Sequence, residues 1–335
     1  MKTMYKSALV LLILLITLQL LAVGNLKDFS LSTLNMKDFR GAYPMYTITA
    51  LSAFNGKSSA PAYAAVEGEI LDFSDMRLWS NGNHMALHNA GLELTHELKR
   101  LSPHRERKTA GIEPVGVLVI TLKELESFNG RNRMKSYVAV EGKVYDFTQL
   151  NRWRNGSHQG GMHLAGEELT SELLKDSPHG VRRIQGVDAV ALFGVTIDEL
   201  PSMNGRDGKK AYVAVSGKVY DFSNFSRWRN GSHQGGMHLA GEELTRELLE
   251  DSPHGDVKLD GAYLVGILVF TPEQLKRFDG ITENRKFVAY EGIVYDVADL
   301  GDWTGNYGVE LDRELSDKEL SLLEEALVIG FLVYN

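Results

Sequence analysis

The chain of 335 residues contains no cysteine, and it is short of positive charge. The first absence excludes disulfide bonds, cysteine-ligated zinc, iron–sulfur clusters and thiolate nucleophiles. Lysine and arginine total 36 against 44 aspartates and glutamates, which gives a net charge of −8. Binding to nucleic acid without sequence preference needs a cationic surface against phosphate, so we expect no nucleic-acid partner.

Long apolar runs are also scarce. The one at the N-terminus, Ala8–Val23, follows the positive charges of Lys2 and Lys6. A membrane-spanning helix needs about 20 apolar residues, so this run is short for one. It ends near Ala22-Val23-Gly24, which fits the small-residue cleavage site of a secretory signal.

We therefore predict that residues 1–24 are a signal peptide. The alternative is a signal anchor that holds the chain to the membrane through residues 8–23. Both readings place the remainder outside the cytoplasm, either secreted or anchored at the outer face of the membrane. Residues 25–45 are expected to form a lead-in segment.

The strongest signal in the sequence is an internal repeat, which indicates a modular architecture. The segment RWRNGSHQGGMHLAGEELT at residues 152–170 recurs letter for letter at residues 227–245. The four tryptophans of the chain recur at a nearly constant interval: Trp79, Trp153, Trp228 and Trp303. The repeat predicts four units, at residues 46–119 (unit one), 120–194 (unit two), 195–269 (unit three) and 270–335 (unit four).

Each unit is predicted to be a small α+β domain with the same order of elements. In unit two this order is a short helix over Leu122–Gly130, a β-hairpin over Tyr137–Asp146, the tryptophan segment, a helix from Ala165 to about Lys175 and an apolar strand over Ala189–Gly194. The strand runs directly into the next helix with no flexible spacer. We therefore expect a rigid rod or a compact stack of units.

Nine of the ten histidines recur at equivalent positions in units one to three. The interval between the second and the third of each unit is always the same, and unit four has none. Two of them precede the predicted second helix and one follows it, so the flanking loops could return to opposite faces of a flat cofactor. The nine candidate metal ligands are His84, His88 and His104; His158, His163 and His179; His233, His238 and His254. His96 has no counterpart and is expected to be a helix-surface residue.

These motifs resemble the cytochrome b5-like haem/steroid-binding family in its prokaryotic form. The matching residues are Tyr137–Phe147, His158-Gln-Gly-Gly161, Ala165-Gly-Glu-Glu-Leu-Thr170 and Ser177-Pro-His179. The resemblance spans about residues 46–333. It implies tandem domains in which a mixed sheet floors a haem pocket and helical hairpins grip the haem.

In cytochromes of this family two histidines ligate the iron, one in a His-Pro-Gly-Gly motif and one after the Ala-Gly helix. The resemblance assigns these roles to His158 with His179, and to His233 with His254. His163 stands two residues before Ala-Gly and competes with His158, because its interval to the third histidine is constant across the units. The first ligand in each unit therefore stays open.

The resemblance implies haem b, about three per chain, bound without covalent attachment because the chain has no cysteine. Two imidazoles on one iron give a site suited to electron transfer. Apolar residues are expected to wall the porphyrin and arginines to pair with its propionates. The expected cofactor-binding residues are Phe147, Leu169, Leu173, Arg152, Arg154, Arg227 and Arg229.

The sequence therefore predicts an exported multihaem b-type cytochrome that exchanges electrons with a redox partner protein. One alternative is a protein that binds haem or a small apolar, steroid-like ligand without a redox role. Another is a histidine-rich metal-binding scaffold, which is weaker because no acidic ligand recurs beside the histidines. No nucleophile, phosphate loop or paired-carboxylate motif favours an enzyme. Unit four is expected to be a haem-free cap or docking domain, and the units leave room for self-association.

Overall fold

The computed structural model describes residues 30–33, 36–41, 43–102, 109, 111–176, 184–251 and 259–335. The predicted signal segment and the third histidines His104, His179 and His254 lie outside these residues. Among the helices that are described, none has the length and apolar character needed to cross a membrane.

The described strands are numbered β1 to β20 in chain order. Those that start in residues 45–119 are β1 (Met45–Thr47), β2 (Tyr63–Val66), β3 (Glu69–Asp72), β4 (Asn83–His84), β5 (His88–Asn89) and β6 (Pro114–Thr121). Those of unit two are β7 (Tyr137–Val140), β8 (Lys143–Asp146), β9 (Ser157–His158), β10 (His163–Leu164) and β11 (Ala189–Thr196). Those of unit three are β12 (Tyr212–Val215), β13 (Lys218–Asp221), β14 (Ser232–His233), β15 (His238–Leu239) and β16 (Tyr263–Phe270). Those of unit four are β17 (Phe287–Tyr290), β18 (Ile293–Asp296), β19 (Val309–Leu311) and β20 (Leu327–Tyr334).

Helices are short throughout the described residues. The α-helices are α1 (Ile48–Leu51), α2 (Leu122–Ser127), α3 (Pro272–Leu275) and α4 (Asp317–Glu325). The 3₁₀ turns are Leu31–Thr33, Met36–Phe39, Arg77–Gly82, Asn151–Gly156, Gln159–Gly161, Leu200–Ser202, Ser226–Gly231 and Gln234–Gly236. Three π-helical turns, Glu97–Leu101, Glu172–Asp176 and Glu247–Asp251, occupy equivalent places in units one to three.

A closed ring of five parallel strands holds the units together. β1 pairs with β6, β6 with β11, β11 with β16 and β16 with β20, and β20 pairs back onto β1. We call these five strands the central barrel. The expected unit boundaries fall inside β6, β11 and β16, so each of these strands belongs to two consecutive units. The units therefore surround a common barrel, and the expectation of a rod or stack is wrong.

Alternate side chains along the barrel strands enter two different cores, as the two-residue period of a strand requires. Leu118, Phe193 and Leu268 lie in one buried cluster with helix residues such as Leu125, so this set faces outward. The alternate residues form a second cluster inside the barrel: Met45, Val117, Val119, Leu192, Ile267, Val269, Phe331 and Val333. The N-terminal lead-in adds Leu31 and Phe39 to this inner cluster.

Each long strand also carries an antiparallel hairpin outside the barrel. β3, β8, β13 and β18 pair with the first halves of β6, β11, β16 and β20. The hairpin β7–β8 confirms the predicted Tyr137–Asp146 hairpin. Its turn residues, Glu141 at φ 49° and Gly142 at φ 79°, have the positive φ values of a tight type I′ connection.

The predicted helix from Ala165 to about Lys175 is wrong at its start. Gly166 has φ 90°, and Glu168 forms a parallel bridge to Ala139, so this segment is not helical. The backbone carbonyl oxygen of Glu126 lies 3.1 Å from the position that a Cβ on Gly166 would occupy, which leaves no room for a side chain. The π-helical turn begins only at Glu172, after the Glu168 carboxylate has accepted the backbone N–H of Thr170 at 2.7 Å.

Small residues allow the barrel strands to approach each other. A Cβ on Gly266 would lie 2.8 Å from the backbone oxygen of Phe193 and 2.9 Å from its ring. Gly116 and Gly330 have equally close contacts with the rings of Tyr46 and Phe270. Added volume in such a packed junction forces the backbone or the ring to move.

We predict that Gly266→Ala lowers the free energy of unfolding by about 1–3 kcal/mol, because its methyl group overlaps the Phe193 backbone. Gly301→Ala is the matched control, since no atom lies within 4 Å of a Cβ at that position. Chemical denaturation of both variants and the unchanged chain measures the effect. Equal losses in the two variants would refute the close strand approach.

Candidate functional site

The first two histidines of units one to three face each other across a small β-hairpin. His158 is the cross-strand partner of His163, and the same pairing joins His84 to His88 and His233 to His238. We call these the histidine hairpins. This segment is shorter than its counterpart in cytochrome b5, and in the described residues it forms a β-hairpin.

Glycines set the shape of the hairpin in units two and three. Gly160 at φ 71° and Gly161 at φ 98° form its turn, where an L-residue would be strained. Just before the hairpin, a Cβ on Gly156 would lie 1.7 Å from the backbone oxygen of Asn129. The Asn129-Gly130 turn that the sequence indicated therefore fixes the base of the histidine hairpin through direct backbone packing.

An aromatic ladder orients the histidine rings. In unit two the Trp153 ring lies 5.2 Å from the His158 ring at 9°, and the His158 and His163 rings are 5.9 Å apart at 22°. Unit three repeats these contacts through Trp228, at 5.2 Å and 5.9 Å, and unit one through Trp79, at 5.1 Å and 5.8 Å. The tryptophans pack in or against the hydrophobic clusters of their units, and the sequence analysis did not predict their contact with the first histidine. The constant spacing between each tryptophan and that histidine is the signal that could have shown it.

The two histidines of one hairpin cannot occupy opposite axial positions on one iron. Cross-strand neighbours have Cβ atoms about 4.5–5.5 Å apart and project from the same face of the hairpin. Opposite axial ligands must approach the metal from opposite sides of the porphyrin. The two imidazoles of each hairpin therefore share one face of it and could approach a flat ligand only from the same side.

The three apolar residues expected to wall the porphyrin belong to or pack against one buried cluster next to the tryptophan. Phe147, Leu169 and Leu173 pack together with Trp153 and Ile184. The ring of Phe147 meets the Trp153 ring edge-on at 4.8 Å. The structure thus brings together the three predicted apolar residues and the aromatic ladder.

The outer side of the hairpins is polar in part and apolar in part. All four predicted propionate partners are exposed: Arg152, Arg154, Arg227 and Arg229. The residue directly before each second histidine is also strongly exposed despite being apolar, with Leu87 at 73%, Met162 at 72% and Met237 at 71%.

His96 lines a cleft of about 330 Å³ between the helical turn of unit one and the sheet of unit two. Arg100, Asp146 and Asp188 line the same cleft. The cleft lies apart from the histidine hairpins, so it does not bring His96 to the candidate site. Within the described ranges, no group of three or more histidine and acidic side chains could hold a metal ion.

A buried carboxylate joins the helical turn of each histidine-bearing unit to the next unit. Glu93 of unit one accepts hydrogen bonds from the hydroxyl of Tyr137 at 2.7 Å and from Lys135 at 3.0 Å, both in unit two. Burial and the nearby carboxylates, Glu93 foremost, raise the pKa of Tyr137 well above its usual value. Burial lowers the pKa of Lys135, but the negative charges around it outweigh this and raise its pKa overall.

The same cluster recurs between units two and three. Glu168 accepts from Tyr212 and from Lys210, each at 3.0 Å. Burial, followed by the charge of Glu168, raises the pKa of Tyr212 well above its usual value. Burial raises the pKa of Glu168 in spite of the opposing effect of Lys210. Sequence analysis did not identify these junction residues, because the contacts join positions that are distant in the sequence.

Comparison with protein families finds a match to the cytochrome b5-like heme/steroid binding domain over residues 196–269. This range includes the histidine hairpin with His233 and His238. Residues 196–269 are a cytochrome b5-like domain. A comparison with curated proteins finds no match.

Two solved structures of cytochrome b5-like proteins are also similar to part of the chain. A cytochrome b5 domain protein of Methanococcoides burtonii is 45% identical over 22% of this chain and 95% of its own, with a TM-score of 0.21. A Hadesarchaea cytochrome b5 domain protein is 39% identical over 22% of this chain and 96% of its own, also with a TM-score of 0.21.

The residues of the histidine hairpins fit the haem that a cytochrome b5-like domain implies. Imidazole is a good axial ligand for haem iron, and exposed apolar side chains stand beside each pair. In the part of the chain that the structure describes, the buried Nδ1 atom of His88 has no hydrogen-bond partner.

The junction tyrosines predict a loss of stability at high pH. Because their pKa values are raised in the folded state, their contribution is complete below the unfolded pKa of about 10 and is lost as the pH rises above it. The double variant Tyr137→Phe/Tyr212→Phe, which copies Phe287 of unit four, should weaken this dependence by about 1.4 kcal/mol in total between pH 9 and pH 11 for each tyrosine. Chemical denaturation between pH 9 and pH 11 measures the slope. An unchanged slope in the double variant would contradict the assignment.

Proposed function

We propose that the chain is an exported b-type cytochrome with four tandem cytochrome b5-like units, of which the first three bind haem for electron transfer. The observation that supports it most is the aromatic ladder, which recurs in units one to three with nearly the same distances. Unit four has no histidine, although Trp303 is buried at the matching position.

Bis-histidine ligation is the arrangement that the hairpins favour. One histidine of the hairpin, either the first or the second, would hold the haem iron together with His104, His179 or His254 of the same unit. The tryptophan stack limits rotation of the first imidazole, and a fixed imidazole lowers the reorganisation that accompanies a change of redox state. The four exposed arginines could pair with the propionates of a haem whose edge faces solvent.

A bound haem would supply one-electron chemistry, and the protein would supply position and environment. Two axial imidazoles leave no open coordination position, which disfavours oxygen chemistry and supports a carrier over an enzyme. The proposal that the chain is exported rests on the N-terminal apolar run Ala8–Val23. Because the barrel fixes the units relative to one another, the sites would keep constant separations, which suits transfer of electrons from haem to haem.

The purified chain is expected to bind about three haems and to show the absorption spectrum of low-spin bis-imidazole haem in both redox states. Haem content per chain and a reductive titration test this. The haem must also be reduced and reoxidised reversibly, since a scavenger or sensor would need no such reversibility. Folded, haem-supplemented protein without a Soret band would refute the proposal.

Replacing the third histidine in units two and three should remove the haems of those two units and leave the haem of unit one. We expect His179→Ala/His254→Ala to keep about one of three haems, because each variant unit retains a single axial ligand. His96→Ala is the matched control and should keep all of them. Full haem content and an unchanged spectrum in the double variant would exclude these residues as ligands.

A further inference from the structure

One basic side chain crosses each of three junctions between consecutive units. It stands shortly after a turn glycine, at the same position in each unit, and it contacts a buried glutamate of the preceding unit. The three pairs are Lys135 with Glu93 at 3.0 Å, Lys210 with Glu168 at 3.0 Å, and Arg285 with Glu243. The glutamate side chains are only 1–2% exposed, so the basic residue is the counter-charge of a carboxylate that water hardly reaches.

The contacted glutamate controls the start of the helical turn in its own unit. The second carboxylate oxygen of Glu168 accepts the backbone N–H of Thr170 at 2.7 Å. Glu93 and Glu243 hold Thr95 and Thr245 in the same way, at 2.6 Å and 2.9 Å.

Two of the three basic residues also reach the helical turn itself. Lys135 contacts Glu97 at 3.3 Å, and Lys210 contacts Glu172 at 3.0 Å. In sequence, the third histidine follows closely after each of these turns. Lys135 and Lys210 therefore contact the helical turn that precedes, in the sequence, the third histidine of the unit before them.

The junction between unit four and unit one has no basic residue at this position, and unit four has no histidine. Glu310 of unit four forms the bridge to Ala289 that corresponds to the bridge between Glu168 and Ala139. It is exposed, and its carboxylate accepts a hydrogen bond from Tyr334 at 2.7 Å. Unit one, which follows it around the ring, has Pro61 at the position of the basic residue. A basic residue at this position is therefore found only in the units that follow a histidine-bearing unit.

We infer that Lys135, Lys210 and Arg285 are positioning residues that hold the buried glutamate and the helical turn of the preceding unit, and that haem binding in that unit depends on them. Unit four, which has no histidine, serves unit three by supplying Arg285. This inference rests on the proposed haem function, although the contacts themselves do not.

The junction between units three and four has ion pairs from two arginines, Arg285 and Arg246. Arg285 contacts Glu243 alone among the carboxylates of its junction, and the buried Oε2 atom of Glu247 has no hydrogen-bond partner within the described part of the chain. A second link comes from Arg246, which binds Asp296 of unit four at 3.0 Å. Removing Arg285 would leave the Glu243 carboxylate buried without its counter-charge, which is costly in a packed junction.

The test uses the full-length chain loaded with haem. We expect Arg285→Met to release one of about three haems to apomyoglobin on the order of tenfold faster or more, with the other two unchanged. Arg285→Lys should restore slow release, because lysine fills this role in the two preceding junctions. Lys318→Met is the control, since it removes an ion pair of unit four whose side chains are both exposed.

Hydrogen exchange on haem-free protein separates this inference from the haem proposal. Arg285→Met should speed exchange of the amides of Glu247–Asp251 on the order of tenfold, and leave Glu172–Asp176 unchanged. If the unchanged chain binds no haem, the proposed function fails, and this measurement still tests the contact. If the unchanged chain binds haem and Arg285→Met releases it at the normal rate, the positioning role is wrong.

Discussion

Parallel pairing of strands that are shared between units is the constraint on which the rest of this structure depends. β6, β11 and β16 each end one unit and begin the next, and their second halves pair side by side. Because β20 pairs with both β16 and β1, the two ends of the described chain meet in one ring. The units consequently cannot move independently, and each hairpin keeps a fixed place around the barrel.

This arrangement makes neighbouring units part of each other's sites. The helical turn of unit two is held by Glu168, and Glu168 is held by Lys210 and Tyr212 of unit three. A single unit cut from the ring would lose these partners and expose a carboxylate that the ring buries. The small size of one unit makes such borrowed contacts important, because small domains bury little apolar surface of their own.

Much of the local structure could be predicted from the sequence because local rules decide it. The alternation in Tyr137–Val140 and Lys143–Asp146 with Glu141-Gly142 between them predicted the hairpin correctly. The start of the second helix was missed because residues 165–169 pair with the distant strand β7, where Glu168 bridges Ala139 and the Gly166 N–H donates to the Tyr137 carbonyl at 2.7 Å. The histidine positions were recognised from their repetition, whereas their β-hairpin pairing depends on glycine turns and on the packing of Gly156 against Asn129.

The sequence alone determined the repeat, the absence of cysteine, the matched histidines of units one to three and the absence of histidine from unit four. These follow from residue identity and spacing, which need no knowledge of distant contacts. Only the tertiary structure decided that the units close into a ring, and that His158 and His163 share one face of a hairpin. It also decided that Lys210 serves the preceding unit, because strand pairing and burial bring together residues that lie far apart along the chain.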